Sequence, residues 1–136
     1  MVIQAVHVPE SAEAVVACSA RGGWIMGGGT PEMFAQAAAA VDTAWQKAGR
    51  DGRPRKLTLA YFALGPDARA QADAYLLQYY GFLGDMAQQI AASAAINTEM
   101  VKAYAAAFES SGCDELIFVP TSSDPEQIRL LAEAIA

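Results

Sequence analysis

Histidine is almost missing from this chain: His7 stands alone, and the two cysteines, Cys18 and Cys113, lie far apart. One imidazole and two distant thiols leave no ligand set for zinc. A Ser-His-Asp triad would rest wholly on His7, and no Gly-x-Ser-x-Gly elbow is present. Positive charge is scarce as well, with 9 Lys and Arg against 15 Asp and Glu and a formal net charge of −6. Nucleic acids and anionic membranes call for clustered Lys and Arg, so neither is expected as a partner. No uninterrupted run of about 18 apolar residues occurs, so no membrane span is expected. A charged opening followed by an apolar stretch is also lacking, so no signal peptide is read. Together with two thiols read as reduced and packed, this gives a cytoplasmic expectation. No pair of carboxylates falls on successive strand ends in a glycosidase-like way. Low-complexity linkers and charge runs are absent, so residues 1–136 read as a single domain.

What remains is an alternation of strand and helix. Strand-like runs at Val2–Val8, Gly23–Met26, Lys56–Ala63 and Glu115–Val119 each precede a segment with helical spacing. Strands alternating with helices predict a parallel α/β sheet. A closed barrel of such units needs eight of them and about 250 residues, so this chain holds about half. The helix after Gly22-Gly23-Trp24 is the best marked: Thr30 can cap it, Pro31 fits the first position and Glu32 complements the dipole. Phe34, Ala37, Val41, Trp45 and Ala48 give it one apolar face. A loop follows from Gly49 to Pro54, holding a cluster of arginines. The run Lys56–Ala63 is nearly continuous in apolar character, as expected of a strand covered on both faces. The next helical stretch, to about Ser93, is interrupted by Gly81 and Gly84. Asn97 or Thr98 can cap another helix, which Gly112 ends. Asp124, Pro125 and Gln127 read as the cap, first-turn proline and capping-box residue of the last helix.

Ligands in such folds bind at the carboxyl ends of the strands. That directs attention to His7, to Trp24 through Gly29, to Tyr61 through Gly65 and to Thr121 through Ser123. His7 is a candidate catalytic or hydrogen-bonding group; the alternative is a histidine satisfied by a backbone carbonyl. Gly27-Gly28-Gly29-Thr30 follows a strand and opens a helix, where backbone amides can hold a phosphate. It lacks the Lys-Ser/Thr of a P-loop and the spacing of a dinucleotide fingerprint. Thr121 opens a second hydroxyl-rich turn, although Asp124 there opposes an anion and suits helix capping. If the fold does chemistry, a bound cofactor carries it. The stretch Tyr75–Met86 is apolar nearly all round, with three tyrosines and a phenylalanine, and reads as a protein–protein interface or a doubly covered helix.

Gly22-Gly23-Trp24-Ile25 with Gly28-Gly29-Thr30-Pro31-Glu32-Met33-Phe34 resembles the Gly-Trp-Ile turn and following helix of the bacterial luciferase-like monooxygenases. Leu59 to Gly65 and Cys113 to Pro125 resemble that family's last two strands, and the closing Asp-Glu-Leu-Ile-Phe-Val-Pro-Thr run is the most specific part. The resemblance covers about Arg21 to Ala136 and corresponds to the C-terminal half of the barrel. It implies a parallel (β/α)4 half of a TIM-type (β/α)8 barrel. It also implies a flavin- or F420-dependent oxidoreductase or monooxygenase, with FMN or F420 as cofactor, often dimeric. No catalytic residue is carried over. His7 is the catalytic candidate, and Trp24, Gly27, Gly28, Gly29, Thr30, Tyr61 and Thr121 are the cofactor-binding candidates. A half-barrel has open strand edges and a bare apolar interior, so a homo-oligomer is expected, through the strand edges and the Tyr75–Met86 region. The alternative is a truncated, non-catalytic half-barrel that serves as an interaction module.

Overall fold

A computed structural model describes residues 22–136. The strand read at Val2–Val8, the helix after it, His7 and Cys18 lie outside the described residues. Within them the order is β1 (Gly23–Met26), α1 (Pro31–Lys47), β2 (Arg55–Phe62), α2 (Ala68–Tyr79), a 3-10 turn (Gly81–Leu83), α3 (Asp85–Ala92), α4 (Thr98–Ser110), β3 (Glu115–Pro120) and α5 (Glu126–Ile135). The strands form one sheet in the order β1-β2-β3. β1 runs parallel to β2, with Gly23 opposite Arg55 and Met26 opposite Thr58. The helical stretch is broken at Gly81 and Gly84, as the sequence predicts. The chain groups into two compact units, Met1–Leu59 with Phe108–Ile117, and Ala60–Ala107 with Phe118–Ala136.

The first unit is built on large aromatic side chains. Thr30 caps α1 by accepting the Met33 N–H at 3.3 Å, and Pro31 and Glu32 follow at the positions that favour helix initiation. The buried stripe of α1 is Phe34, Ala38, Val41 and Trp45. Ala38 takes the place expected of Ala37, and Ala48 falls outside the helix and is exposed. Phe34 is fully buried between Trp24, with ring centroids 5.5 Å apart, and Phe108, which meets it edge-on at 5.8 Å. Each such burial stabilises by about 1.5–3 kcal/mol before packing is counted. Trp45 donates its indole N–H to the Asp51 carbonyl at 3.2 Å, and the Arg50 guanidinium lies over its ring at 4.1 Å.

Charge in this unit gathers at the N-terminal ends of β2 and β3. Arg53 forks onto the Asp114 carboxylate, whose Oδ2 also accepts the Lys56 backbone N–H at 2.9 Å. Arg55 pairs with Glu115, and the Lys56 ammonium reaches Asp42 at 2.6 Å. The Arg53 hydrogen bond, reinforced by the Lys56 amide, holds the Asp114 carboxyl below the usual carboxylate range. Arg53 and Arg55 are thus paired within the fold, whereas Arg50 stacks on Trp45 and keeps one buried guanidinium nitrogen without a hydrogen-bond partner.

The second unit is built on alanine. Ala63, Ala68, Ala72, Ala91 and Ala94 form a buried cluster around Leu76, where α2 and α3 pack together. Small side chains let these elements approach closely, at the cost of little apolar area per residue. Arg69 ties them by donating to Asp73 and to the Ala91 carbonyl, each at 2.8 Å. A second cluster holds Phe62, Leu64, Ala95, Val101 and Ala134, with Phe118 meeting Phe62 edge-on. β2 is therefore covered on alternate residues by both clusters here, in keeping with its continuous apolar run.

Candidate functional site

The carboxyl end of β1 turns into α1 through three glycines. Gly28 and Gly29 have φ of +114° and +132°, a region that side chains rarely adopt, and a Cβ on Gly29 would meet the Met26 methyl at 3.2 Å. These two glycines are explained by the turn itself. The Thr30 hydroxyl is engaged at the helix start, and its bond to Glu32 holds that carboxyl below its ordinary range. An ionised carboxylate in the first turn opposes an anion, and Pro31 has no N–H to offer. Trp24 is buried against Phe34 and presents no open face.

The exit of β2 lies in the second unit and is held on several sides. Ala95 donates its N–H to the Tyr61 carbonyl and accepts from Ala63, both at 2.9 Å. Thr121 donates its N–H to the Phe62 carbonyl at 3.0 Å, and its hydroxyl donates to the same oxygen at 3.3 Å. Gln127 then treats Leu64 as a strand would. Its Oε1 accepts the Leu64 N–H at 2.8 Å and its Nε2 donates to the Leu64 carbonyl at 2.9 Å. Gln127 is 4% exposed, so this pair replaces water on a buried backbone. The sequence assigns Gln127 to a capping box. The helix start is instead served by Asp124, whose Oδ1 accepts the Glu126 N–H at 3.0 Å.

Tyr61, near the end of β2, hydrogen-bonds through its hydroxyl to that of Tyr80 at 2.7 Å. Burial, then the Tyr80 bond, pushes its phenol well above the tyrosine range, so it stays protonated at any physiological pH. Cys113 is half-buried and packed near Glu115, and burial pushes its thiol up, so it is a poor nucleophile. A cavity of about 330 Å³ opens beyond the β2 exit, walled by Leu64, Ile96, Leu130 and Ala134, with Glu99 and Glu133 also lining it. Of the strand ends singled out in the sequence, the Tyr61–Gly65 segment reaches it through Leu64 and Gly65, and Asn97 and Thr98, read there as helix caps, line it too. Ile96, Leu130 and Ala134 carry no sequence signal of a cavity. Among the described residues, no group of three His, Cys, Asp or Glu is arranged to hold a metal ion.

The sequence-predicted residues therefore fall into two sets. Trp24, Gly27, Gly28, Gly29 and Thr30 gather at the β1–α1 turn, and Tyr61 and Thr121 gather at the β2 exit. His7 lies outside the described residues. Every hydroxyl named in these sets is already bonded within the protein.

No protein-family model matches the sequence, and no curated protein matches it. Solved structures do. The chain is similar to an F420-dependent secondary alcohol dehydrogenase in complex with an F420–acetone adduct, at 15% identity and a TM-score of 0.66, over 90% of this chain and 45% of that one. It is similar to apo-MsnO8 at 17% identity and a TM-score of 0.61, over 93% of this chain and 49% of that one. The chain spans about half the length of each. No helix among the described residues is long and apolar enough to cross a membrane. At these identities the likeness establishes the fold, a parallel α/β arrangement that corresponds to half of a TIM-type barrel.

Proposed function

We propose that this chain is part of a luciferase-like oxidoreductase that works with F420 or FMN. The observation that carries the reading is the fold likeness to an F420-dependent dehydrogenase over 90% of the chain. The Cys113–Pro125 run, which resembles the same family, supports it independently. When bound, such a cofactor supplies hydride or oxygen chemistry that side chains cannot.

The residues of this chain fit only part of that task. FMN and F420 both carry phosphate, and the Gly27–Thr30 turn does not suit it: Glu32 stands ionised in the first turn and the Thr30 hydroxyl is engaged. These features argue against the Gly27–Thr30 turn as the phosphate cradle. What these residues supply is a fixed frame at the strand exits. Gln127 and Thr121 immobilise the backbone after β2, and Tyr61 presents a neutral, hydrogen-bonded phenol beside it.

A second reading is favoured by a different observation. The candidate hydroxyls are all engaged internally, while α2 and the following turn expose aromatic rings. That pattern suits a non-catalytic half-barrel that binds a partner. Titrating F420 and then FMN into the protein, following cofactor fluorescence, separates the two. Saturable binding in the micromolar range supports the oxidoreductase reading. Unchanged fluorescence with both cofactors contradicts cofactor binding by this chain and favours the interaction module.

A further inference from the structure

The cavity beyond the β2 exit is built wholly within the second unit, from the end of β2, the start of α4 and the body of α5. Its volume of about 330 Å³ lies at the lower end of the range of small-molecule sites. The buried part of its lining is apolar: Leu64 and Ala134 are 6% and 3% exposed, and Ile96 and Leu130 are half-buried. That part also has few free hydrogen-bonding groups. Gln127 takes both the N–H and the carbonyl of Leu64, and the Gly65 carbonyl accepts the Ala68 N–H at 3.3 Å. Asn97 is engaged in starting α4, its Oδ1 accepting the Met100 N–H at 2.8 Å and its carbonyl the Val101 N–H at 3.1 Å. Charge is confined to the exposed part of the lining, where Glu99 stands on α4 and Glu133 on α5. Glu133 shares Arg129 with Glu126, whereas Glu99 takes part in none of the ion pairs among the described residues. No Lys or Arg lines the cavity.

We propose that this cavity binds a small organic ammonium ion, an amine carrying a short apolar body. Charge complementarity selects the cation. Carboxylates from two different helices border one cavity without a basic residue among its walls, and the net charge of −6 adds to the attraction. The apolar interior selects the body. With the Leu64 backbone and the Gly65 carbonyl already bonded, a ligand gains there by removing apolar surface from water. A bare metal ion would leave that surface unused, and among the described residues no group of three His, Cys, Asp or Glu is arranged to hold one. An anion would be repelled by Glu99, which already complements the dipole in the first turn of α4. A neutral ligand would fill the interior but leave both carboxylates without a counter-charge. The inference goes beyond the oxidoreductase reading and does not depend on whether the chain binds F420 or FMN.

Titrating hexylammonium into the cofactor-free protein at low ionic strength, followed by backbone amide NMR shifts, tests it. Hexanol, hexanoate and ammonium chloride are the matched neutral, anionic and body-less probes. Hexylammonium is expected to saturate in the millimolar range or tighter and to move amides within residues 64–65, 96–99 and 130–134. It should bind roughly fivefold more tightly than hexanol, which lacks the charge, and more tightly still than ammonium, which lacks the body. Hexanoate should not bind. Glu99→Gln, at an exposed position where the fold is untouched, is expected to weaken hexylammonium by about threefold, and added salt to weaken it in the wild type. The absence of saturable shifts with hexylammonium overturns the site, as do shifts confined to other residues. Binding of hexanol, hexanoate or ammonium as tight as that of hexylammonium overturns the ligand class. A response that both Glu99→Gln and salt leave unchanged overturns recognition by charge.

Discussion

Helix α1 of the first unit and the α2–α3 layer of the second use their aromatic residues in opposite ways. In the unit of Met1–Leu59 with Phe108–Ile117, Trp24, Phe34, Trp45 and Phe108 point inward and are nearly or fully buried. In the unit of Ala60–Ala107 with Phe118–Ala136, the α2–α3 cluster is mostly alanine, and Tyr75, Tyr79 and Phe82 point outward. The first arrangement spends aromatic area on its own stability. The second leaves that area on the surface, where it contributes to stability only if something covers it. The difference teaches that an apolar run and an apolar surface are separate facts, and that only the first is accounted for by packing within the described residues.

The contrast can be broken most sharply in the first unit. Phe34→Ala removes the ring held between Trp24 and Phe108 and is expected to cost about 3–5 kcal/mol in denaturant unfolding. Phe82→Ala, at the other extreme of exposure, is expected to leave the stability of the dilute monomer nearly unchanged.

Next in size is Gln127→Leu, which strands a buried N–H and a buried carbonyl on Leu64 and is expected to cost about 2–4 kcal/mol. Gln127→Glu sharpens this. A carboxylic acid can accept from the Leu64 N–H and donate to its carbonyl as the amide does, but a carboxylate cannot donate. The introduced group therefore has a folded pKa above its unfolded one. Its stability contribution is present below the unfolded value and is lost as pH rises through the folded value. Melting curves should show this variant recovering toward the wild type in mild acid, with Gln127→Leu showing no such recovery.

Asp114 gives the opposite sign. Its folded pKa is lowered by Arg53 and the Lys56 amide, so its contribution is present above the unfolded carboxylate value and is lost as pH falls through the folded one. Asp114→Ala is expected to cost about 1–3 kcal/mol at neutral pH. In acid, below the folded value, most of the difference from the wild type should disappear. The smallest effect is expected from Tyr61→Phe, which removes one partly buried hydrogen bond to Tyr80, worth about 1 kcal/mol by urea titration.

Much of the fold was legible from sequence because its signals are local. Thr30-Pro31-Glu32 marks a helix start through backbone chemistry within four residues, and Gly81 and Gly84 mark the interruption between α2 and α3. The continuous run of β2 predicted cover on both faces for the same reason, since alternation is lost when neither face meets water. The site was less legible. Gln127 stands at a position that reads as a capping box, and only the meeting of α5 with the β2 exit shows that its amide goes to Leu64, 63 positions away. The cavity beyond Leu64 was legible only at its Leu64–Gly65 edge, because its other walls are contributed by separate elements. Tyr75, Tyr79 and Phe82 were conspicuous in the sequence, but their outward direction follows from Leu76 and Tyr80 taking the inward places.

The most direct test of this contrast is denaturant unfolding of Phe34→Ala and Phe82→Ala side by side. The account predicts a loss of about 3–5 kcal/mol for Phe34→Ala and a change within about 0.5 kcal/mol for Phe82→Ala. Comparable losses in the two variants would contradict it.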